Sequence, residues 1–275
     1  MTSLQIIIYA LVQGITELFP VSSVGHGVIL PYLAGWTNIS GNPQFLPLLV
    51  MLHLGTALAL LVFFWRDWVD LISSLWMRKP HQRRLLGLIV VATIPAAIIG
   101  KVFNHTFTHL FPSAFSASVF LVVNGLVLFA ADYLRRRARD RTINEVGYGQ
   151  SFLIGVAQVL ALIPGFSRSG VTITAGLGLG LSYEESARFS FLLATPIILG
   201  AGVLEVPKML KSHATHMIHL GLIGGLCAGV VALISTAFLM RYFQNHEVRA
   251  LRPFGIYCIV VGVVVAVMSL AHVHF

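Results

Sequence analysis

One apolar run near the start of the chain carries groups that could do chemistry. It reads Gln13-Gly14-Ile15-Thr16-Glu17-Leu18-Phe19-Pro20-Val21-Ser22-Ser23-Val24-Gly25-His26, with a carboxamide, a carboxylate, two hydroxyls and an imidazole. A charge at bilayer depth costs ~2.5–3.5 kcal/mol or more, so a lone carboxylate there marks a functional site. Gln13 and Glu17 are four apart, hence on one face of a helix. Pro20 interrupts that helix, and Ser22, Ser23 and Gly25 suit a turn and a fresh helix start. A second stretch answers the first: Pro164-Gly165-Phe166-Ser167-Arg168-Ser169-Gly170-Val171-Thr172. Aligning Pro20 with Pro164 aligns Ser23 with Ser167, and brings Gln13 within one residue of Gln158.

If the two tips meet, two half-helices aim their N-termini at one spot. Free backbone N–H groups and the helix dipole then make a phosphate site. Arg168 can grip phosphate oxygens in bidentate fashion. Glu17 does not suit a pocket for anions alone; it suits one holding a divalent cation between carboxylate and phosphate. His26 is a candidate general acid or base, and Ser23 a nucleophile activated by it. Metal-assisted hydrolysis of a diphosphate is the reaction class this set suggests. Taken singly, Ser22 or Ser169 could equally bond its own helix backbone. His53 reads as a packed or interfacial residue, and His105, His109, His213, His216, His272 and His274 as surface groups.

The elements that must position these groups are transmembrane helices. Of the 275 residues, 57% are hydrophobic and 10% charged; the mean hydropathy is +0.86. Soluble domains carry roughly 25% charge. The apolar runs are too long and too unalternating for a barrel. The expected fold is an all-α polytopic membrane protein with six full spans, near 45–65, 85–103, 116–133, 189–204, 219–240 and 253–271. Two re-entrant helix-loop-helix hairpins complete it, at 3–34 and 151–181. Repeats 1–133 and 151–271 each hold one hairpin and three spans, joined by the basic linker 134–150. An odd number of crossings per half gives the two repeats opposite orientation.

Charge tests this topology. Fourteen of the 18 Lys and Arg fall on segments 66–84, 134–150, 182–188 and 241–252. Lys101, Lys208 and Lys211 fall on the other side. The first group is therefore cytoplasmic, and both termini lie outside. Arg135 to Arg141 is a topology and headgroup determinant and no nucleic-acid site. The segment Ser182 to Glu185 has the Ser-x-x-Glu form of a helix start. Cys227 and Cys258 sit in apolar spans as packing residues. Glu17 and Arg168 are the lone acid and lone base at mid-span, and should face each other or a shared anion.

These residues resemble the undecaprenyl pyrophosphate phosphatase family of the bacterial cytoplasmic membrane, the group linked to bacitracin resistance. One family signature is Glu/Gln-x-x-x-Glu running into Pro-x-Ser-Ser-x-Gly-His. Gln13, Glu17, Pro20, Ser22, Ser23, Gly25 and His26 match it. The other, Pro-Gly-x-Ser-Arg-Ser-Gly-x-Thr, is matched by Pro164, Gly165, Ser167, Arg168, Ser169, Gly170 and Thr172. The resemblance implies hydrolysis of a C55 isoprenoid diphosphate to the monophosphate carrier and inorganic phosphate, at a site open to the outer face. It implies a divalent cation, Mg2+ or Ca2+, held with water by Glu17 and Gln13. It implies Ser23 as nucleophile, His26 as its acid/base partner and Arg168 as the phosphate clamp. Ser22, Ser167, Ser169 and Thr172, with Gly165 and Gly170, would line the diphosphate. Gln13 stands where many relatives carry Glu, and Val24 where Thr is common. The partners implied are the membrane and the lipid substrate; a homodimer is compatible. The runner-up reading is a lipid-phosphate transporter or flippase, since inverted repeats around a midplane site also build carriers. The phosphatidic-acid phosphatase superfamily is excluded by the missing Lys-x(6)-Arg-Pro segment.

Overall fold

A computed structural model describes residues 2–36, 45–103, 113–135, 141–211, 215–246 and 249–271. Among these residues the chain is helical, apart from turns and one isolated bridge between Arg141 and Leu181. Helix α1 (Ser3–Thr16) opens on a capping box of Thr2 and Gln5. It is too short to span a bilayer, which takes about 20 residues. Pro20 stops it by lacking an N–H and by disfavouring helical geometry before it. The chain turns at Ser22, whose φ of 68° is left-handed. It restarts as α2 (Ser23–Leu33), with Ser22 Oγ accepting the Gly25 N–H at 3.1 Å.

The second half repeats this local grammar. Helix α7 (Tyr148–Val159) tightens into a 3-10 turn at Leu160–Leu162. Gly165 then takes φ 108°, a conformation natural to glycine. Ser167 caps α8 (Arg168–Gly178) through the Gly170 N–H. Both expected interruptions are therefore present.

The remaining elements are α3 (Phe45–Phe63), α4 (Trp65–Ser73), α5 (Pro80–Val102), α6 (Ala114–Arg135), α9 (Tyr183–Lys211), α10 (Thr215–Asn245) and α11 (Arg252–Leu270). Five of them, α5, α6, α9, α10 and α11, are long and apolar enough to cross a membrane. α3 makes a sixth when joined to α4 across a 77° bend. The protein is thus a multi-pass helical membrane protein.

Three expected loops are helical instead. The segment beginning at Arg66 starts inside α4, which shows Trp65, Val69 and Ile72 to the outside and buries Leu71. Such an amphipathic helix suits the headgroup boundary. An ion pair between Asp67 and Arg188 ties it to α9. Residues 183–188 form the first turns of α9, with Ser182 Oγ accepting the Glu185 N–H at 3.1 Å, the cap read from the sequence. α9 also continues past Glu205 to Lys211, carrying Pro196 and Pro207 within it. Hydropathy marks the bilayer-crossing part of a helix, and helices continue beyond it. The loops at 37–44 and 104–112 lie outside the described residues. So do residues 136–140 of the linker and the side chains of His105, His109, His213, His216, His272 and His274.

Packing proceeds through small residues, as it must where lipid and side chains are equally apolar. α6 lies along α11 and α3 along α10. Likewise α1 lies along α10, and α7 along α5. Glycines set the approach. A Cβ on Gly55 would stand 1.8 Å from the Gly225 carbonyl oxygen, and one on Gly125 2.7 Å from that of Gly255. A Cβ on Gly14 would stand 2.6 Å from the Ala228 oxygen, and one on Gly155 2.4 Å from that of Ala92. These contacts seat α1 against α10 and α7 against α5. Gly155→Ala is expected to destabilise the protein by about 1–3 kcal/mol through overpacking. Gly149→Ala, with nothing within 4 Å of the new methyl, should leave Tm unchanged or raised. Thermal unfolding in detergent checks the pair.

Candidate active site

The two breaks meet. A Cβ on Gly25 would lie 3.0 Å from Gly165 Cα, so backbone touches backbone at the tips. Asn124 of α6 bridges them: its Nδ2 donates to the Pro20 carbonyl at 3.0 Å, and its Oδ1 accepts the Ser167 N–H at 3.0 Å. Ser169 Oγ donates to the Phe19 carbonyl at 3.2 Å. Cys258 is buried beside Asn124, its Sγ accepting from Nδ2 at 3.4 Å, and packs within its apolar span as expected.

This junction brings the lone acid and the lone base together. Arg168 Nη2 donates to Glu17 Oε1 at 3.3 Å, and Nη1 donates to the Ser190 carbonyl at 2.9 Å. Thr172 Oγ1 donates to Ser190 Oγ at 2.7 Å, which braces the same wall. The other carboxylate oxygen, Glu17 Oε2, accepts from Ser23 Oγ at 2.6 Å and from Gln13 Nε2 at 3.1 Å. His53 Nε2 stands 3.3 Å from it. The His53 Nδ1–H donates to the Leu49 carbonyl at 2.8 Å, which aims Nε2 at the carboxylate. His53 is thus no mere packing residue: it is a direct partner of Glu17.

His26 is placed differently from the expectation. Its Nδ1 donates to the Ser22 carbonyl at 2.7 Å, and its Nε2 lies 2.8 Å from the Tyr257 hydroxyl. Both ring nitrogens are engaged, and the Ser23 hydroxyl goes to Glu17. The expected Ser23–His26 pair is therefore replaced by a Ser23–Glu17 pair. As His53 does with Leu49, His26 bonds the carbonyl four residues before it, and Tyr257 of α11 takes its other nitrogen.

A cavity of about 310 Å³ opens on this cluster. Thr16, Glu17, Ser23, His53, Gln158, Ser167 and Arg168 give it its polar lining; Leu49, Val50 and Phe166 stand among its apolar wall. Of the residues singled out by sequence, Glu17, Ser23, Ser167 and Arg168 line it. Gln13 stands behind Glu17. Ser22 caps α2, Ser169 and Thr172 hold the junction and the Arg168 wall, and Gly165 and Gly170 allow close packing. Helices α2 and α8 both begin at this cavity, so their N-termini favour an anion there.

For a metal, the oxygen donors at hand are the Glu17 carboxylate, the Gln13 carboxamide and the Ser23 hydroxyl. Among the described residues, no group of three or more His, Cys, Asp and Glu side chains could hold an ion by itself. A hard divalent cation fits such a set where phosphate oxygens and water complete its shell, as is usual for Mg2+.

His53, Asn124, Gln158 and Ser190 were not among the site residues read from the sequence. His53 and Asn124 are polar groups inside apolar runs, and the rule that found Glu17 applies to them in weaker form. Gln158 carried a signal of its own, its near register with Gln13.

Fold and site together define a multi-pass membrane protein with an acid, a guanidinium and a hydroxyl gathered at two helix breaks. Residues 6–264 match the family described as bacitracin resistance protein BacA. Over 265 residues the chain is 47% identical to a protein of Oenococcus oeni named undecaprenyl-diphosphatase 2, covering 96% of this chain and 97% of that one. It is 47% identical over 271 residues to a protein of the same name from Chromobacterium violaceum, covering 96% and 98%. An undecaprenyl-diphosphatase of Acidiphilium cryptum is 49% identical over 274 residues, covering 95% and 96%. This chain belongs to the BacA family, as its two motifs indicated.

Asn124→Leu is expected to leave the Pro20 carbonyl and the Ser167 N–H buried without partners. Each costs about 1–3 kcal/mol. A lowered Tm in detergent, relative to the neighbouring exposed change Val123→Leu, checks this.

Proposed function

We propose that this protein hydrolyses undecaprenyl diphosphate to undecaprenyl phosphate and inorganic phosphate, returning the lipid carrier to cell-wall synthesis. The observation that carries the reading is the Ser23–Glu17–Arg168 chain of contacts at the mouth of a partly apolar cavity. The family and the names of its members agree with it. A transport role has no observation of its own here.

The finer architecture belongs to the same proposal. Residues 1–133 and 151–271 form inverted repeats, each with one re-entrant hairpin and three spans. The reciprocal packing of α1 on α10 and α7 on α5 supports this, since each hairpin leans on the other repeat's middle span. The basic segments face the cytoplasm of a bacterial inner membrane, and the site opens to the outer face.

Arg168 holds the terminal phosphate and offsets its charge as it transfers. Ser23 Oγ attacks the terminal phosphorus while its proton passes to Glu17 Oε2. The bridging P–O bond breaks, and undecaprenyl phosphate leaves with the proton that Glu17 passes to it. Water then attacks the phosphoserine, and its proton passes by way of Glu17 to the departing Ser23 Oγ, releasing inorganic phosphate and restoring the hydroxyl. His53 orients Glu17 from the other side, and His26 fixes the Ser22 turn that presents Ser23. Glu17 and Gln13 are the residues that would hold Mg2+ or Ca2+, which would neutralise charge on the substrate. The apolar wall would receive the first isoprene units.

The test is phosphate release from a polyprenyl diphosphate by the protein purified in detergent. Glu17→Gln and Ser23→Ala should each lower the rate roughly 10²–10⁴-fold. Release that survives both changes would refute the assignment. Chelation of divalent cations should abolish release, and added Mg2+ or Ca2+ should restore it; unchanged release in excess chelator removes the cation from the scheme.

A further inference from the structure

Gln158 is the one glutamine of the site whose side chain is idle. It lies on α7, is 2% exposed and lines the cavity beside Glu17, Ser23, His53, Ser167 and Arg168. Neither its amide nitrogen nor its carbonyl oxygen has a hydrogen-bond partner. Its near-counterpart Gln13, by contrast, donates to Glu17. A buried carboxamide that has lost water and gained nothing destabilises the ligand-free protein. Leucine, of similar volume, would pack there without that cost. A polar group in this condition inside a ligand cavity is one that the ligand completes.

A second idle donor narrows the ligand. Arg168 Nε is also buried without a partner, although both terminal guanidinium nitrogens are engaged. Both donors belong to side chains that line the cavity, one from α8 and one from α7, and both are closed off and unanswered in the empty site. Each asks for an acceptor. Phosphate offers several oxygens within one group and can answer both. The Gln158 carbonyl oxygen can in turn accept from a protonated phosphate or from water.

We propose that Gln158 is a substrate-binding residue that donates to a phosphate of the diphosphate and grips it from a third element, beside Glu17 at the end of α1 and Arg168 on α8. The assignment rests on the diphosphatase reading for the identity of the ligand. It rests on the cavity alone for the contact.

The experiment uses the full chain in detergent and two probes. Methylenediphosphonate, which cannot be hydrolysed at its bridge, reads binding through thermal stabilisation; a polyprenyl diphosphate reads turnover. With Gln158→Leu, the concentration of methylenediphosphonate giving half-maximal stabilisation should rise roughly tenfold or more, the loss expected for one hydrogen bond to a charged group. KM for the polyprenyl diphosphate should rise by a similar factor. The ligand-free Tm should stay level or rise, which a merely structural glutamine would not allow. Should Gln158→Leu fail to fold, Gln158→Met, unbranched and of equal length, is measured in its place. An unchanged half-maximal concentration and KM overturn the proposal, as does a wild-type protein that methylenediphosphonate does not stabilise. A wild-type protein that binds methylenediphosphonate through Gln158 but releases no phosphate refutes the diphosphatase reading and leaves this contact standing.

Discussion

An ion pair between two helix breaks governs this structure. Glu17 and Arg168 are 3.3 Å apart and almost wholly buried, the carboxylate side chain 5% exposed and the guanidinium 11%. Either charge alone would be costly among these apolar helices. Each is acceptable because the other is there, and each lies at a helix end because a continuous helix could not bring it there. The pair thus explains Pro20 and Gly165, the residues that end the helices. It also explains Gly25 and Asn124, which let the ends touch and hold them in register. Removing one partner of such a pair leaves an uncompensated buried charge, which is worse than having neither.

The breaks solve a second problem with the same residues. A helix that stops inside a membrane exposes backbone groups that lipid cannot satisfy. Here the protein satisfies them from within. Ser22 and Ser167 cap the restarting helices. Asn124 takes one group from each tip, and Ser169 closes onto the Phe19 carbonyl. The serines that the motifs supply in excess are therefore divided by task. Ser23 and Ser167 line the cavity, while Ser22 and Ser169 are consumed in making the tips possible. Spacing alone does not separate these roles, because all four occur within two or three residues of a proline or glycine.

How much could be read from the chain follows from what each residue costs in a membrane. Glu17 and Arg168 were legible, and so was their meeting, because a lone charge in an apolar run has few explanations. The two interruptions were legible because proline and glycine are local punctuation. His53, Asn124 and Gln158 were harder. A neutral polar side chain can be satisfied by its own helix, as Thr56 is by the His53 carbonyl, so its presence decides little until neighbours are known. The pairing of Ser23 with Glu17 instead of His26 was illegible for another reason. It depends on Tyr257, which reaches His26 from the far end of the chain and which no local pattern announces. The helix ends of α4, α9 and α10 were misjudged because hydropathy measures contact with lipid, whereas the helix continues wherever its hydrogen bonds do.

Charge balance explains why the site suits its ligand. Glu17 and Arg168 neutralise each other, so the pair alone gives a diphosphate no net attraction. The attraction must come from what surrounds it. The N-termini of α2 and α8 supply partial positive charge from fixed dipoles, which cost nothing to reorganise. His53 holds Glu17 Oε2, the oxygen that Arg168 does not take, and Arg168 lines the cavity with its Nε unengaged. Gln13 keeps a second carboxylate out of the cluster, so the positive terms are not cancelled again. A site built this way turns fixed dipoles and a guanidinium toward one cavity. That is the condition under which an anionic headgroup can enter from water while its tail stays against apolar wall.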